Sequence, residues 1–351
     1  MLTEHRRALH RLAEVGWELP QTEHYIKSVL EKLPCKVFSP VPMALCAWFD
    51  FGKEETIAFR ADMDALPIEE KTGLSFASQH PGKMHACGHD GHMAIALALA
   101  EELAERKDAR RNVLLIFEPA EETDGGAKPI CDTGLLEDYR VQEIYGLHLW
   151  PELPLHTIGT RPGGMMARSC ELTVDISGSS AHIARWQEAK DALFAANRVL
   201  TEFYTLAQGQ PCLLRFGKLE AGQVRNAVAD HALLQGSLRC FDDTLYARLR
   251  QETEEIAQRI SAETGCTISI HCTEGYPPVT NDPALCAKAK ALVSIREVAP
   301  TYITEDFSQY QQRVPGVFFW LGTGGVGLHD PRFDFDESVL ETGLALFRAL
   351  L

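Results

Sequence analysis

Several short apolar runs in this chain stop abruptly in residues that bind cations, and that pairing constrains the fold more than any other feature. "TIAFRADMD" ends in Asp62 and Asp64, "NVLLIFEPAEE" in Glu121 and Glu122, and "EIYGLHLWP" delivers His148. "GVFFWLG" leads through the glycine-rich "TGGVG" to His329. "MHACGHDGH" sets Cys87 and His89 just ahead of the helical pattern "MAIALALAEELAE". Short apolar runs bounded by polar residues read as buried strands of an α/β sheet. Ligands of open α/β sheets bind beyond the carboxyl ends of the strands, so these polar ends are expected to share one crevice.

Taken singly, each feature has an ordinary explanation. An acid after a strand is often a turn residue, a lone histidine is often half-buried and satisfied, and Cys87 alone reads as a small buried hydrophobe. Together they point to metal. Cys87, His89, Glu122, His148 and His329 are five candidate metal ligands. That is more than one catalytic ion needs, so the set suits two divalent metal ions. Thiolate and imidazole donors suit zinc, and a mixed carboxylate site also suits manganese or cobalt. Glu121 is then the spare carboxylate that handles the proton of the attacking water. Asp62 and Asp64 stand beside this set. A thiol nucleophile at Cys87, with His89 as base, is a rival reading that leaves Glu121, Glu122, His148 and His329 without roles. A dinuclear phosphoesterase is a second alternative, and it would want more basic groups around a phosphoryl.

At 351 residues the chain exceeds what one core usually organises. Helix is expected over Met1–Leu33, strands at the apolar runs above and at "ALCAWFDF", and helix from about Gly91 to Lys107. Between about 168 and 276 the order changes to strand "CELTVDISG", helix Glu188–Ala207, strands "CLLRFGKLEA" and "DHALLQGSLRCF", helix Asp242–Thr264 and strand "CTISIHC". That order is the split β-α-β-β-α-β unit. The first pattern then resumes, with helix from Ala284 and a closing helix from Ser338. The expected architecture is an α/β catalytic domain, residues 1–167 and 277–351, with a ferredoxin-like α+β domain inserted over 168–276.

The formal charge is −15, and no Lys/Arg run offers a nucleic-acid groove. The amphipathic N-terminus lacks the apolar core of a signal peptide, and no apolar run is long enough to span a bilayer. Ten cysteines are scattered without a C-x-x-C pair, as in a protein of a reducing cytoplasm.

The motifs "RADMDALP", "MHACGHDGHMA", "FEPAEE", "GLHLWP", "TEDF" and "WLGTGGVGLHDP" stand in this order from Arg60 to Pro331. In that order they resemble the amidohydrolase subgroup of the aminoacylase/carboxypeptidase metallopeptidases, which includes hippurate hydrolases, auxin–amino acid conjugate hydrolases and N-acetyldiaminopimelate deacetylases. The resemblance implies a dinuclear-metal catalytic domain with an inserted lid that often carries a homodimer interface. It implies metal ligation by Cys87, His89, Glu122, His148 and His329, and a general base at Glu121. It also implies an oxyanion-stabilising His182 in "GSSAHIA" and substrate contacts at Asn226 and Arg239. The implied reaction is hydrolysis of an N-acyl amino acid, and "SFASQH", "GGAKP" and "VFFWLGT" read most like the deacetylases. Some positions depart from the family pattern. Glu118 replaces the usual Gln of "QPAEEG", which is expected to put another negative charge near the metal-binding pair. Gln187 stands where a second lid histidine is usual, the loop near Trp48 has "PVPMA" where a glycine is common, and the segment before "TEDF" is short.

Overall fold

The computed structural model describes residues 1–351. By packing, the chain divides into two units, one of Met1–Gly163, Thr280–Ala299 and Asp306–Leu351 and the other of Gly164–Val279 and Pro300–Glu305.

The first unit is built on an eight-stranded sheet. From one edge to the other the strands run Lys36–Phe38, Leu45–Phe49, Asn112–Glu118, Thr56–Asp62, Val141–Trp150, Gly316–Gly322, Ile158–Thr160 and Arg296–Glu297. The four strands from Asn112–Glu118 to Gly316–Gly322 are mutually parallel. Asp62 lies opposite Glu118, and His148 opposite Trp320, so the polar ends of these strands emerge at one edge. Three of the four are buried along their whole length, and only Gln142 of Val141–Trp150 is exposed. Such two-sided burial is why these strands read as continuous apolar runs.

Helix His89–Ala104 is buried on almost every side, because a helix that is apolar all round needs cover all round. The sheet covers one side, and helices Leu2–Arg11 and Val339–Leu350 cover others. The helix starts at Gly88, whose φ is +86°; a Cβ there would lie 2.8 Å from Leu149 Cδ1. Only glycine therefore lets the helix begin this close to the strand carrying His148.

The expected helix over Met1–Leu33 is two helices, Leu2–Arg11 and Pro20–Leu30. Gly16 turns the chain at φ +62°, Val15 bridges to Ala65, and Pro20 starts the second helix. The buried Glu14 carboxylate accepts the Gln21 and Thr22 backbone N–H groups at 3.0 and 2.9 Å, closing that start.

In the second unit the strand order is Thr267–Cys272, Arg168–Ser177, His231–Cys240, Cys212–Ala221, all antiparallel. Helices Ala192–Ala207 and Asp243–Thr264 pack on it, burying Leu172, Val174, Ile176 and Leu234 against Ala196, Val199, Phe203, Leu249 and Ile260. The order is that of a ferredoxin-like sheet. The first of these helices begins at Ala192 rather than Glu188, because the Asp191 carboxylate caps Phe194 N–H at 3.0 Å. A short 3₁₀ segment, Ile183–Glu188, precedes it. All ten cysteines are free thiols, and no helix is long and apolar enough to cross a membrane.

Candidate metal centre

The parallel strand ends and the loop before His89 bring the sequence-expected donors of the first unit together. One donor atom each from Cys87, Glu122 and His329 lie within 4.8 Å of one another, as do those of His89, Glu121 and Glu122. A further group of the same tightness contains Asp62, His89, His92 and His148. His329 reaches its place on a backbone with φ +64°, tied by its N–H to the Ala86 carbonyl at 2.8 Å.

Hydrogen bonding separates the donors that are open to a cation from those that are spent. His92 accepts the Leu149 N–H at Nε2, 2.9 Å, so its Nδ1–H donates to Asp62 Oδ1, 2.5 Å. Asp62 Oδ2 in turn accepts from Arg60 at 2.7 Å. Both ring nitrogens of His92 are therefore committed and each Asp62 oxygen already accepts one hydrogen bond, while the His92 ring packs against those of His89 and His148. His89 is the opposite case. It is completely buried, both its ring nitrogens lack a hydrogen bond, and its nearest carboxylate oxygens stand 3.7–3.8 Å away. Leaving such a polar ring unsatisfied in the interior is costly, and a coordinated cation would satisfy it. His148 donates Nδ1–H to the Leu149 carbonyl at 2.7 Å, which leaves the Nε2 lone pair 3.4 Å from Cys87 Sγ. Burial holds His148 down to about 3, so the ring is a neutral donor at any ordinary pH.

The charges point the same way. Burial, with the Glu122 and Glu121 carboxylates beside it, pushes the Cys87 thiol well above its usual range. A free thiolate nucleophile is disfavoured here. A cation reverses that balance, since a coordinating thiol is deprotonated outright. Glu122 stays ionised: burial would raise its pKa, but His329 and His89 draw it down to about 2. The residues thus fit divalent cations held by thiolate, imidazole and carboxylate.

Glu118 does not bear on the metal donors as its sequence position suggested. It is completely buried and accepts Arg60 through both oxygens, at 2.8 and 3.1 Å, with the Tyr310 hydroxyl donating at 2.8 Å. The Arg60 guanidinium also donates to Asp306 at 2.8 Å, so one buried cation gathers Glu118, Asp62 and Asp306. Sequence reasoning missed Arg60 and His92. The H-x-x-H spacing from His89, which puts His92 on the same helix face, was the available signal for the histidine. Nothing in the sequence pairs residue 60 with residues 118 and 306.

The remaining expected residues lie in the second unit. His182 is exposed and caps the 3₁₀ segment, its Nδ1 accepting Ala184 N–H at 3.2 Å. Asn226 meets the same segment by accepting Ile183 N–H at its carbonyl, 3.0 Å. Arg239 donates to the Tyr302 carbonyl at 2.7 Å. Gln187 is exposed on the 3₁₀ segment.

The sequence profile of peptidase family M20/M25/M40 matches residues 58–351. An N-acetyldiaminopimelate deacetylase of Streptococcus uberis is 35% identical over 365 residues, covering 99% of this chain and 96% of that protein. Another, of Halalkalibacterium halodurans, is 34% identical and covers 97% of this chain and 95% of its own. Among solved structures, a dinuclear metal-binding peptidase of the M20 family from Bacillus subtilis superposes with TM-score 0.90 at 30% identity, covering 99% of this chain and 96% of that one.

Proposed function

Since this chain belongs to peptidase family M20/M25/M40, we propose that it deacetylates an N-acetyl amino acid, with N-acetyldiaminopimelate as the substrate that its relatives' names indicate. It is a metal-dependent hydrolase of amide C–N bonds. The observation that carries the reading is the convergence of Cys87, Glu122 and His329 in one group and His89, Glu121 and Glu122 in the adjoining one. Glu122 belongs to both groups, and Glu121 stands beside it in the second.

We assign Cys87, His89, Glu122, His148 and His329 as ligands of two divalent ions, with manganese, zinc or cobalt as the metals. When bound, the ions polarise the acyl carbonyl and acidify water. Glu121 takes the proton of the attacking water and returns it to the leaving nitrogen. Asp62 and His92 keep the ligand rings in place through their mutual hydrogen bond. Motif matches alone support His182 as the oxyanion donor and Asn226 and Arg239 as substrate contacts. The second unit is proposed as the lid and as a homodimer interface, an idea supported by its exposed Ile183, Trp186, Leu193 and Phe194. A cytoplasmic location accords with ten unpaired thiols.

The test is amine release from a panel with Mn²⁺, Zn²⁺ or Co²⁺ added. The panel holds N-acetyl-LL-diaminopimelate, other N-acetyl amino acids, hippurate and long-chain N-acyl amino acids. Preference for the first substrate supports the deacetylase reading. Preference for hippurate moves the chain to the aminoacylase side, and silence across the panel from metal-loaded, folded protein overturns the function.

A further inference from the structure

Asp64 is almost completely buried, and each of its oxygens accepts one backbone N–H: Oδ1 from Glu121 at 3.0 Å and Oδ2 from Glu122 at 3.2 Å. Two successive N–H groups converge on one carboxyl group where the backbone turns sharply, the arrangement of a backbone nest. The turn is at Ala120, which has φ +62° although it carries a Cβ and is buried. Its carbonyl receives two further N–H groups, from Thr123 at 3.3 Å and Gly125 at 2.9 Å. A left-handed residue with a Cβ persists only where its surroundings over-determine it.

The anchor is itself clamped. Met63 N–H reaches the Glu118 carbonyl at 2.8 Å, carrying the strand pairing past the end of the sheet. Ala65 N–H donates to the Glu14 carbonyl at 2.6 Å and Leu66 N–H to the Met84 carbonyl at 2.9 Å. Met84 heads the loop that carries Cys87 and leads into the helix beginning at His89. Asp64 thus ties the glutamate turn to the segment that also fixes the cysteine loop.

Resting on the metal-hydrolase reading above, we propose that Asp64 is a positioning residue: its carboxylate holds the left-handed turn at Ala120 that presents Glu121 and Glu122 to the donor groups. Without it, the turn relaxes toward the ordinary backbone region. Glu122 then leaves the group it forms with Cys87 and His329, and Glu121 leaves its place beside His89.

The test is Asp64→Asn, which keeps the side chain's shape but turns one acceptor oxygen into an N–H donor facing a backbone N–H. Metal-free wild type and variant are titrated with Co²⁺ alone, followed by visible absorption and calorimetry. The expected result is an affinity loss of about tenfold or more for at least one of two ions, as is usual when a group supporting a ligand is lost. The Co²⁺ spectrum changes with it, and kcat falls while KM moves little. Ala120→Gly added to Asp64→Asn restores part of the affinity, because glycine adopts positive φ without a Cβ penalty.

Asp64→Asn that binds Co²⁺ with wild-type affinity and spectrum overturns the proposal. So does a loss that Ala120→Gly leaves untouched. If the single variant does not fold, recovery of folding in the double variant supports the role, and failure of both overturns it. Wild type that binds two Co²⁺ ions yet hydrolyses no N-acyl amino acid would overturn the function reading instead, leaving the titration comparison intact.

Discussion

His148 turns one ring nitrogen to the Leu149 carbonyl and the other to Cys87, whose sulfur lies 3.4 Å from Nε2. The first contact sets the tautomer, and the second leaves a lone pair and a sulfur converging on one point. Cys87→Ser is therefore expected to lower metal affinity by more than about tenfold. It should also remove the near-ultraviolet thiolate-to-cobalt band of the Co²⁺-loaded protein. A band that survives the substitution would show that Cys87 is no ligand.

Glu121→Gln tests the proton carrier apart from the ligands. General acid–base catalysis contributes about 10²–10⁴-fold, so amine release should fall by that range. Metal content, measured by elemental analysis, should stay at the wild-type level. Loss of metal along with activity would instead make Glu121 a ligand.

Arg60 is the single buried cation among Glu118, Asp62 and Asp306. Removing one partner of a buried ionic cluster costs about 3–5 kcal/mol, and Arg60→Met should show a loss of that size in urea denaturation. Glu118→Gln should cost less, because its amide oxygen can still accept from Arg60 Nε and Tyr310, although its amide N–H2 then faces the second guanidinium nitrogen. Equal losses in the two variants would mean that the cluster is not centred on the guanidinium.

His10 gives the first unit a pH dependence of its own. Burial lowers its pKa, but hydrogen bonds to Asp90 at 2.8 Å and Glu70 at 3.3 Å outweigh burial and lift it from 6.5 to about 9. A pKa raised on folding gives stability that is complete below the unfolded value of 6.5 and is lost as pH climbs through about 9. The span corresponds to roughly 3 kcal/mol. Thermal melts of wild type should fall between pH 7 and 10 more steeply than those of His10→Gln. Parallel curves would show that other groups set the alkaline limb.

Phe194 and Trp186 are 52% and 63% exposed on the second unit. If that surface pairs two copies, Phe194→Asp should convert a dimer to monomer in light scattering, with the melting temperature little changed. A wild type that is monomeric at high micromolar concentration would remove the interface from the reading.

What the amino-acid order alone determined is the part that depends on local pattern. Apolar runs too short for helices marked the four parallel strands, and the polar residues at and beyond their ends, with the loop before the His89 helix, marked the candidate donors Cys87, His89, Glu122, His148 and His329. The packing of parallel strands puts their ends at one edge whatever else the chain does. Period and order likewise marked the β-α-β-β-α-β unit. The break at Gly16 in the first helical stretch was weakly signalled, because a polar, charge-bearing pattern continues through it. What only the tertiary structure decided is which of these groups are free to act. Glu118 reads as a stray charge beside the donors, but the register that sets Asp62 against Glu118, and the return of Asp306 from far along the chain, bury it on Arg60. His92 reads as one histidine among several until Leu149 and Asp62 occupy both its nitrogens. The left-handed turn at Ala120 has no residue-type signal at all, because glycine would have been the expected occupant. Local pattern follows from the preferences of neighbouring residues. Hydrogen-bond partners and strained backbone depend on groups brought together from distant positions, and so exist only once the chain is folded.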